Sequence, residues 1–449
     1  MRVKEAFTKK GYWWIPEKPD NKLSGELSVS DSGAIALEVI GTFYDNPLTD
    51  YVPIILGTSE ERKLISLVEC HMKLPGFGND EVIPSYMFQG IHVANRDELI
   101  FSKTIISVDG LYAWLPQVSP KFSRQTEMNI TSSLSLELAF PKIESFEIDS
   151  SHRISFGYEH SGPRLGHGIK KYEFDLNAYL LIDHSEPTSW TDIEILLYRI
   201  NIFFCFGLGE PQALSYVKVL PKGIDNNEYV DVFYPSFPHA EEPKLDHPIY
   251  HTLKHSKVEN DLSSLLSKWL HYCDKYHYAF RLFFEATTST RHYLENQFIL
   301  LTQCLEAFHR YHSKSTRIPE ADFLKLRELL VEACPDEHKS LLNENLKYWN
   351  GLSFRNRLKE LFAPYKRYFK GYDSIDILIG QVVNTRNYYT HFDPSSEGAA
   401  ITEGQALWKI NNLLELLFEL HLLSLLGFSE SQIETIVHES ERLKQKMHS

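Results

Sequence analysis

Ser374-Ile375-Asp376-Ile377-Leu378-Ile379-Gly380-Gln381-Val382-Val383-Asn384-Thr385-Arg386-Asn387-Tyr388-Tyr389-Thr390-His391-Phe392 is the stretch whose period decides how the second half of the chain is built. Ile375, Leu378, Ile379, Val382 and Tyr389 recur at three- and four-residue spacing, the signature of a helix with one apolar stripe. Arg386 falls within that stripe. A guanidinium there needs an anion or a cleft, because a buried unpaired charge is costly. Asn387 and His391 are four apart and share one side of the helix. Arg386 and His391 lie roughly 140° apart around the axis. Their tips meet only through long side-chain reach, an unwound helix end, or two copies of the helix facing each other across a symmetric dimer.

The helical period extends on both sides of this stretch. Leu262, Leu265, Leu266, Trp269 and Leu270 open it, and a long run follows from Ser289 to His312. A helix over 319–334 ends at Pro335, and short helices are expected over 338–349 and 353–362. Thr402-Glu403-Gly404-Gln405 and Ser429-Glu430-Ser431-Gln432 have capping-box spacing, with Gly427 closing the helix between them. The preceding half has a different period. Leu23 to Val29, Ala34 to Gly41, Ile54 to Gly57, Leu64 to Cys70, Ser145 to Asp149 and Arg153 to Tyr158 alternate or run apolar between turn residues, which reads as strands. Within it, Ile193, Leu196, Leu197, Ile200 and Phe204 mark a helix that Gly207 is expected to close. Pro235, Pro238, Pro243 and Pro248 punctuate an acidic, His-containing segment that reads as a linker. The expectation is a multidomain α+β protein: a β-rich region over 1–234, a linker over 235–258, and an all-α bundle over 259–449.

The charge is divided as the fold is. Of the net −14, about −13 falls in residues 1–250 and about −1 in residues 251–449. Such acidity makes a poor general nucleic-acid binder, but one basic stretch stands out: Arg355, Arg357, Lys359, Lys366, Arg367 and Lys370, against Glu360 alone. Five scattered cysteines form no CxxC, so neither a zinc knuckle nor a disulfide framework is expected. His271 and His277, six apart, make a poor metal pair. Trp13 and Trp14 read as core. No glycine pattern marks a nucleotide loop. With no apolar run near 18 residues and no signal-type N-terminus, neither a membrane span nor secretion is expected, and the location is read as cytoplasmic.

An Arg-to-His spacing of this kind is common by chance; Arg153 to His160 and Arg442 to His448 also have it. The weight of Arg386 and His391 comes from their helix. Such a pair can cleave RNA without a metal: an imidazole moves the 2′-hydroxyl and leaving-group protons while arginine holds the phosphoryl oxygens. Arg386-Asn387-x3-His391 resembles the Arg-x(4–6)-His hallmark of HEPN domains. With Gly11-Tyr12-Trp13-Trp14-Ile15-Pro16 and Gly25-Glu26-Leu27, the whole chain resembles ApeA-type anti-phage proteins. The resemblance implies a metal-independent, cofactor-free endoribonuclease of abortive infection, assembled as a homodimer or higher homo-oligomer through its helical domain. RNA is the implied substrate, with transfer RNA as the family's analogue, and a phage-derived trigger or inhibitor is the implied signal. It assigns catalysis to Arg386, His391 and Asn387, and adds Glu306 as the acidic residue of an earlier helix. Glu306 also stands four residues before Arg310, as a helix-surface partner would. Arg355, Arg357, Lys366, Arg367 and Lys370 are the expected RNA contacts. The β-rich domain is expected to sense infection or restrain the nuclease. The alternative is a helical domain that only binds RNA or dimerises.

Overall fold

The computed structural model describes residues 1–43, 50–73, 79–127, 130–165, 172–224, 228–238, 247–289, 293–369, 374–391 and 394–448. The chain divides into two compact units, Met1–Leu270 and His271–Ser449. The first unit ends later than the proline-rich 235–258 segment. Of that segment, Leu253 and His251 are buried, and the Leu253 carbonyl accepts the indole N–H of Trp114 at 2.7 Å. Its described residues therefore pack within the first unit and do not form a free linker.

Strands β1 (Phe7–Trp14), β2 (Leu23–Val29), β3 (Ile35–Ile40), β4 (Tyr51–Ser59), β5 (Leu64–Met72) and β6 (Asn79–Gln89) open the first unit. They follow the order β6-β3-β2-β1-β4-β5, and β5 pairs back onto β6, so the six strands close into an antiparallel barrel. Closure removes free edges. The alternation read from the sequence supplies the lining: in β3, Ile35, Leu37 and Val39 point inward while Glu38 and Ile40 face out. Trp13 is fully buried in the barrel, and glycine makes room for it. A Cβ on Gly57 would sit 2.2 Å from its ring.

The sheet continues from β6 into a wing, in the order β14 (Val230–Phe233), β13 (Leu214–Pro221), β7 (Ile100–Val108), β12 (Tyr172–Ser189), β11 (His152–Leu165) and β10 (Phe146–Glu147). Strands β8 (Ser119–Glu127) and β9 (Ile130–Ala139) form a separate hairpin. A short α1 (Leu111–Trp114) and the long α2 (Trp190–Leu208) pack on the wing. Gly207 does not close α2. It is buried inside the helix, and Gly209 takes the left-handed conformation (φ 84°) that ends it. After α3 (His255–Val258), α4 (Leu262–Lys275) sets Trp269 against Phe203 and Phe206 of α2.

The second unit holds α5 (His277–Thr288), α6 (Leu294–His312), α7 (Glu320–Glu332), α8 (Asp336–Leu346), α9 (Phe354–Phe362), α10 (Ile375–His391), α11 (Gly404–Leu426), α12 (Glu430–Glu439) and α13 (Glu441–His448). The run expected from Ser289 begins only at Leu294. The helix expected to start at Thr402 is capped instead by Glu403, whose carboxylate accepts from the Gln405 and Ala406 amides. Ser429 and Gln432 make the expected capping box of α12. Helix α11 is buried nearly all round, as its continuous leucines require. Helices α6, α9 and α10 pack against one another beside it, and their junction holds the candidate site.

Candidate active site

The buried side of α10 is Leu378, Ile379, Val382 and Thr385. Its core line thus passes one residue before Arg386, which sits on the flank of the stripe and not in its centre. Positions 385 and 386 both follow Val382 by one turn. The smaller Thr385 takes the inner place, where its hydroxyl accepts the Ile401 N–H at 2.9 Å. The guanidinium turns outward and finds its anion on α6.

Arg386 Nη2 lies 3.5 Å from Glu306 Oε2, with the two side chains 29% and 20% exposed. Its Nη1 donates to Asn387 Oδ1 at 3.4 Å, and its Cζ stands 5.7 Å from the centre of the Phe354 ring on α9. The other oxygen of Glu306 accepts from Arg310 Nη2 at 2.7 Å. Glu306 thus pairs with Arg310 one turn on and also reaches Arg386. An ion pair this open to solvent contributes about 0–1 kcal/mol, so what it supplies is orientation of the guanidinium. His391 is the last residue of α10 and is exposed, and its ring makes no hydrogen bond to a described residue. Asn387 is bonded to Arg386 and not to His391.

Behind Glu306, on the same α6, His309 is buried. Arg357 Nη1 donates to its Nδ1 at 3.0 Å, and its Nε2 faces Glu360 Oε2 at 2.8 Å. A donor on Nδ1 leaves the ring proton on Nε2, pointing at the carboxylate. Partial burial pushes the Glu360 carboxyl up, but hydrogen bonds from His309 and from Ser315 and Ser313 outweigh it and hold the carboxyl below its ordinary value. Burial, then repulsion from Arg310, lowers the Arg357 guanidinium. Arg357 also donates through Nε to the Leu352 carbonyl at 3.1 Å.

This burial corrects the expected RNA surface. Arg357 is 6% exposed and faces the helix junction, not solvent. Arg355 is half-buried over Gly380. Arg367 is exposed, but its guanidinium donates to the Glu430 carbonyl at 3.1 Å and lies 3.6 Å from the Glu434 carboxylate. Lys359 pairs with Asp376 at 2.8 Å. Lys366 is exposed, and Lys370 lies outside the described residues. The run looked unopposed in sequence because its acidic partners come from α10 and α12.

Reading the sequence missed Phe354 and the His309–Glu360 pair. The signal for His309 was present, since Glu306, His309 and Arg310 fall at positions i, i+3 and i+4 of one helix face. Among the described residues, no group of three His, Cys, Asp or Glu is placed to hold a metal, and no helix is long and apolar enough to cross a membrane. Chemically, the junction offers an oriented, partly exposed guanidinium over an aromatic ring, with the exposed His391 at the end of the same helix.

Comparison with known families gives two matches. Residues 8–269 match ApeA N-terminal domain 1, and residues 299–432, which include Glu306, Arg386 and His391, match Apea-like HEPN. No match to the chain was found among curated proteins or among solved structures.

Proposed function

Because the chain belongs to the ApeA family and carries an Apea-like HEPN domain, we propose that its helical unit is an anti-phage endoribonuclease that cleaves RNA without a metal ion. The observation that carries this reading is the Arg386 guanidinium, held by Glu306 and by Asn387 on the flank of α10 and left 29% open to solvent. A phosphodiester fits there as the next anion: two of its oxygens can take the guanidinium bidentately as charge builds on phosphorus. His391, in its neutral form, takes the proton of the ribose 2′-hydroxyl. The 2′-oxygen attacks phosphorus and the bond to the 5′-oxygen breaks. An imidazolium supplies the proton that leaves with the 5′-oxygen. The products are a 2′,3′-cyclic phosphate and a 5′-hydroxyl, and DNA is resistant.

His391 and Arg386 point away from each other around α10. The reading therefore includes a two-fold dimer in which facing α10 helices bring two arginines and two histidines into one groove.

The test incubates wild type, Arg386→Ala and His391→Ala with total RNA in a chelator, with the phage trigger supplied by extract from infected cells. Wild type is expected to yield 2′,3′-cyclic phosphate ends, with both variants reduced at least roughly 100-fold. Equal, absent cleavage by all three would sink the reading and leave an RNA-binding or dimerisation module.

A further inference from the structure

We propose that Tyr348 and Trp349, at the base of the α7–α8 hairpin, form a stacking platform for unpaired RNA bases beside the candidate active site. This rests on the ribonuclease reading and names the substrate class of that site: RNA presented as a single-stranded loop or end.

The two rings are exposed where a protein would ordinarily hide them. Tyr348 is 78% and Trp349 47% exposed. Each has a cation at its ring: Lys347 Nζ is 5.7 Å from the Tyr348 centroid, and Arg317 Cζ is 6.0 Å from the Trp349 centroid. Their backbone is fixed. Asn350 is buried and exchanges hydrogen bonds with Ile318 at 3.1 Å in both directions, and Arg317 N–H donates to the Asn350 carbonyl at 2.9 Å. Gly351 bridges to Thr316, and Arg317 Nε donates to the Gly351 carbonyl at 3.1 Å. The rings are therefore presented on a tied pair of segments, which lowers the ordering cost of binding.

The same segments run into the catalytic junction. The Leu352 carbonyl accepts from Arg357, which reaches His309 on α6, one turn from Glu306. Phe354 lies against Arg386. Phe354 follows Trp349 by five residues, so a strand with a phosphate at Arg386 can extend its neighbouring nucleotides toward these aromatics.

Charge singles out the platform from the rest of the hairpin. Residues 310–318 and 347–359 contain Lys314, Arg317, Lys347 and Arg355, besides the buried Arg357 and the paired Arg310 and Lys359, and no carboxylate of their own, although Glu320 accepts from Asn350 at 2.9 Å. Residues 319–346, the hairpin itself, carry seven carboxylates against three cations. Polyanion is attracted to the base and repelled from the body. Exposed aromatics interleaved with cations are what single-stranded RNA uses: the bases stack, and the phosphates meet the charges. An apolar protein partner would find better ground on the exposed leucines of the hairpin, Leu324, Leu329 and Leu341.

The experiment uses the full chain carrying His391→Ala, so that RNA stays intact, and two fluorescent probes: a 12-nucleotide uridylate strand and a 12-base-pair RNA duplex. Tyr348→Leu and Trp349→Leu keep apolar bulk but remove the ring. Each is expected to weaken the single strand roughly 5- to 100-fold and to leave the duplex unchanged, while Tyr348→Phe and Trp349→Phe stay within about three-fold of the parent. Lys347→Gln is expected to reduce the slope of log affinity against log salt by about 0.7. The inference is overturned if the parent fails to bind the single strand at micromolar concentration. It is also overturned if the leucine variants bind it as the parent does, including the case where they change only the sedimenting mass and so report a protein interface. The readout is binding, so a chain that binds in this way but never cleaves would fail the ribonuclease reading and not this one.

Discussion

Glu306 shares its carboxylate between two arginines, and only one of them belongs to the proposed chemistry. Oε1 holds Arg310 at 2.7 Å; Oε2 lies at 3.5 Å from Arg386. In the proposed reaction the longer contact is the replaceable one: an entering phosphate would displace a carboxylate that already orients the guanidinium. Glu306→Gln keeps the shape and removes the charge. It is expected to lower kcat roughly 10- to 100-fold through misplacement of Arg386, with a smaller change in KM and an unchanged melting temperature. Single-turnover cleavage and thermal unfolding check this together; a parallel loss of stability would assign Glu306 to the fold alone. The resemblance singled out Glu306 as an acidic residue of an earlier helix, but its contact with Arg386 was not legible in the sequence, because the two are 80 residues apart.

Among the elements, α13 is fastened by buried charge. Glu419 on α11 is 4% exposed and receives Arg442 Nη1 at 2.7 Å and Lys446 Nζ at 3.2 Å. Burial raises its carboxyl, but Arg442 and Lys446 outweigh that and hold it below its ordinary value near 4.5. A depressed folded value means the stabilisation is complete above the unfolded value and is lost as pH falls below 4.5 through the folded value. Glu419→Gln is therefore expected to cost roughly 1–3 kcal/mol at neutral pH and to flatten the acid limb of the stability curve. Denaturant melts at stepped pH, with hydrogen exchange over 441–448, follow it. An unchanged acid limb would show that other carboxylates govern acid unfolding. Most helix limits were legible, since caps and periodicity are local: the ends expected at Gly207 and Thr402 moved by two residues or fewer, as Gly209 and Glu403 satisfied the orphan groups instead, while the run expected from Ser289 begins five residues later at Leu294.

At the scale of the molecule, the question is whether the site belongs to one chain or two. Arg386 and His391 leave α10 in different directions, and the described residues give His391 no partner. If two copies pool their residues, mixing Arg386→Ala with His391→Ala protein, each inactive, restores one arginine and one histidine to a shared groove. Cleavage is expected to return to roughly a quarter or more of the wild-type rate once subunits have exchanged. A mixture as inactive as its parts would confine the site to single chains. The division of net charge, −13 against −1 by about residue 250, coincides with the change of architecture near Leu270.

By itself, the sequence determined the change from alternating to helical periodicity, most helix ends, and Arg386, Asn387 and His391 on one late helix. Each of these depends on neighbours within a turn or a strand, where geometry follows from spacing. Only the tertiary structure decided the closure of the barrel by β5 on β6, the pairing of Arg386 with Glu306, and the fate of the basic stretch. That stretch was read as an open RNA surface. Folding buried Arg357 against His309 and set Glu430 and Glu434 beside Arg367. Charge neutralisation and burial are properties of segments brought together across the chain, and no local period records which segments those will be.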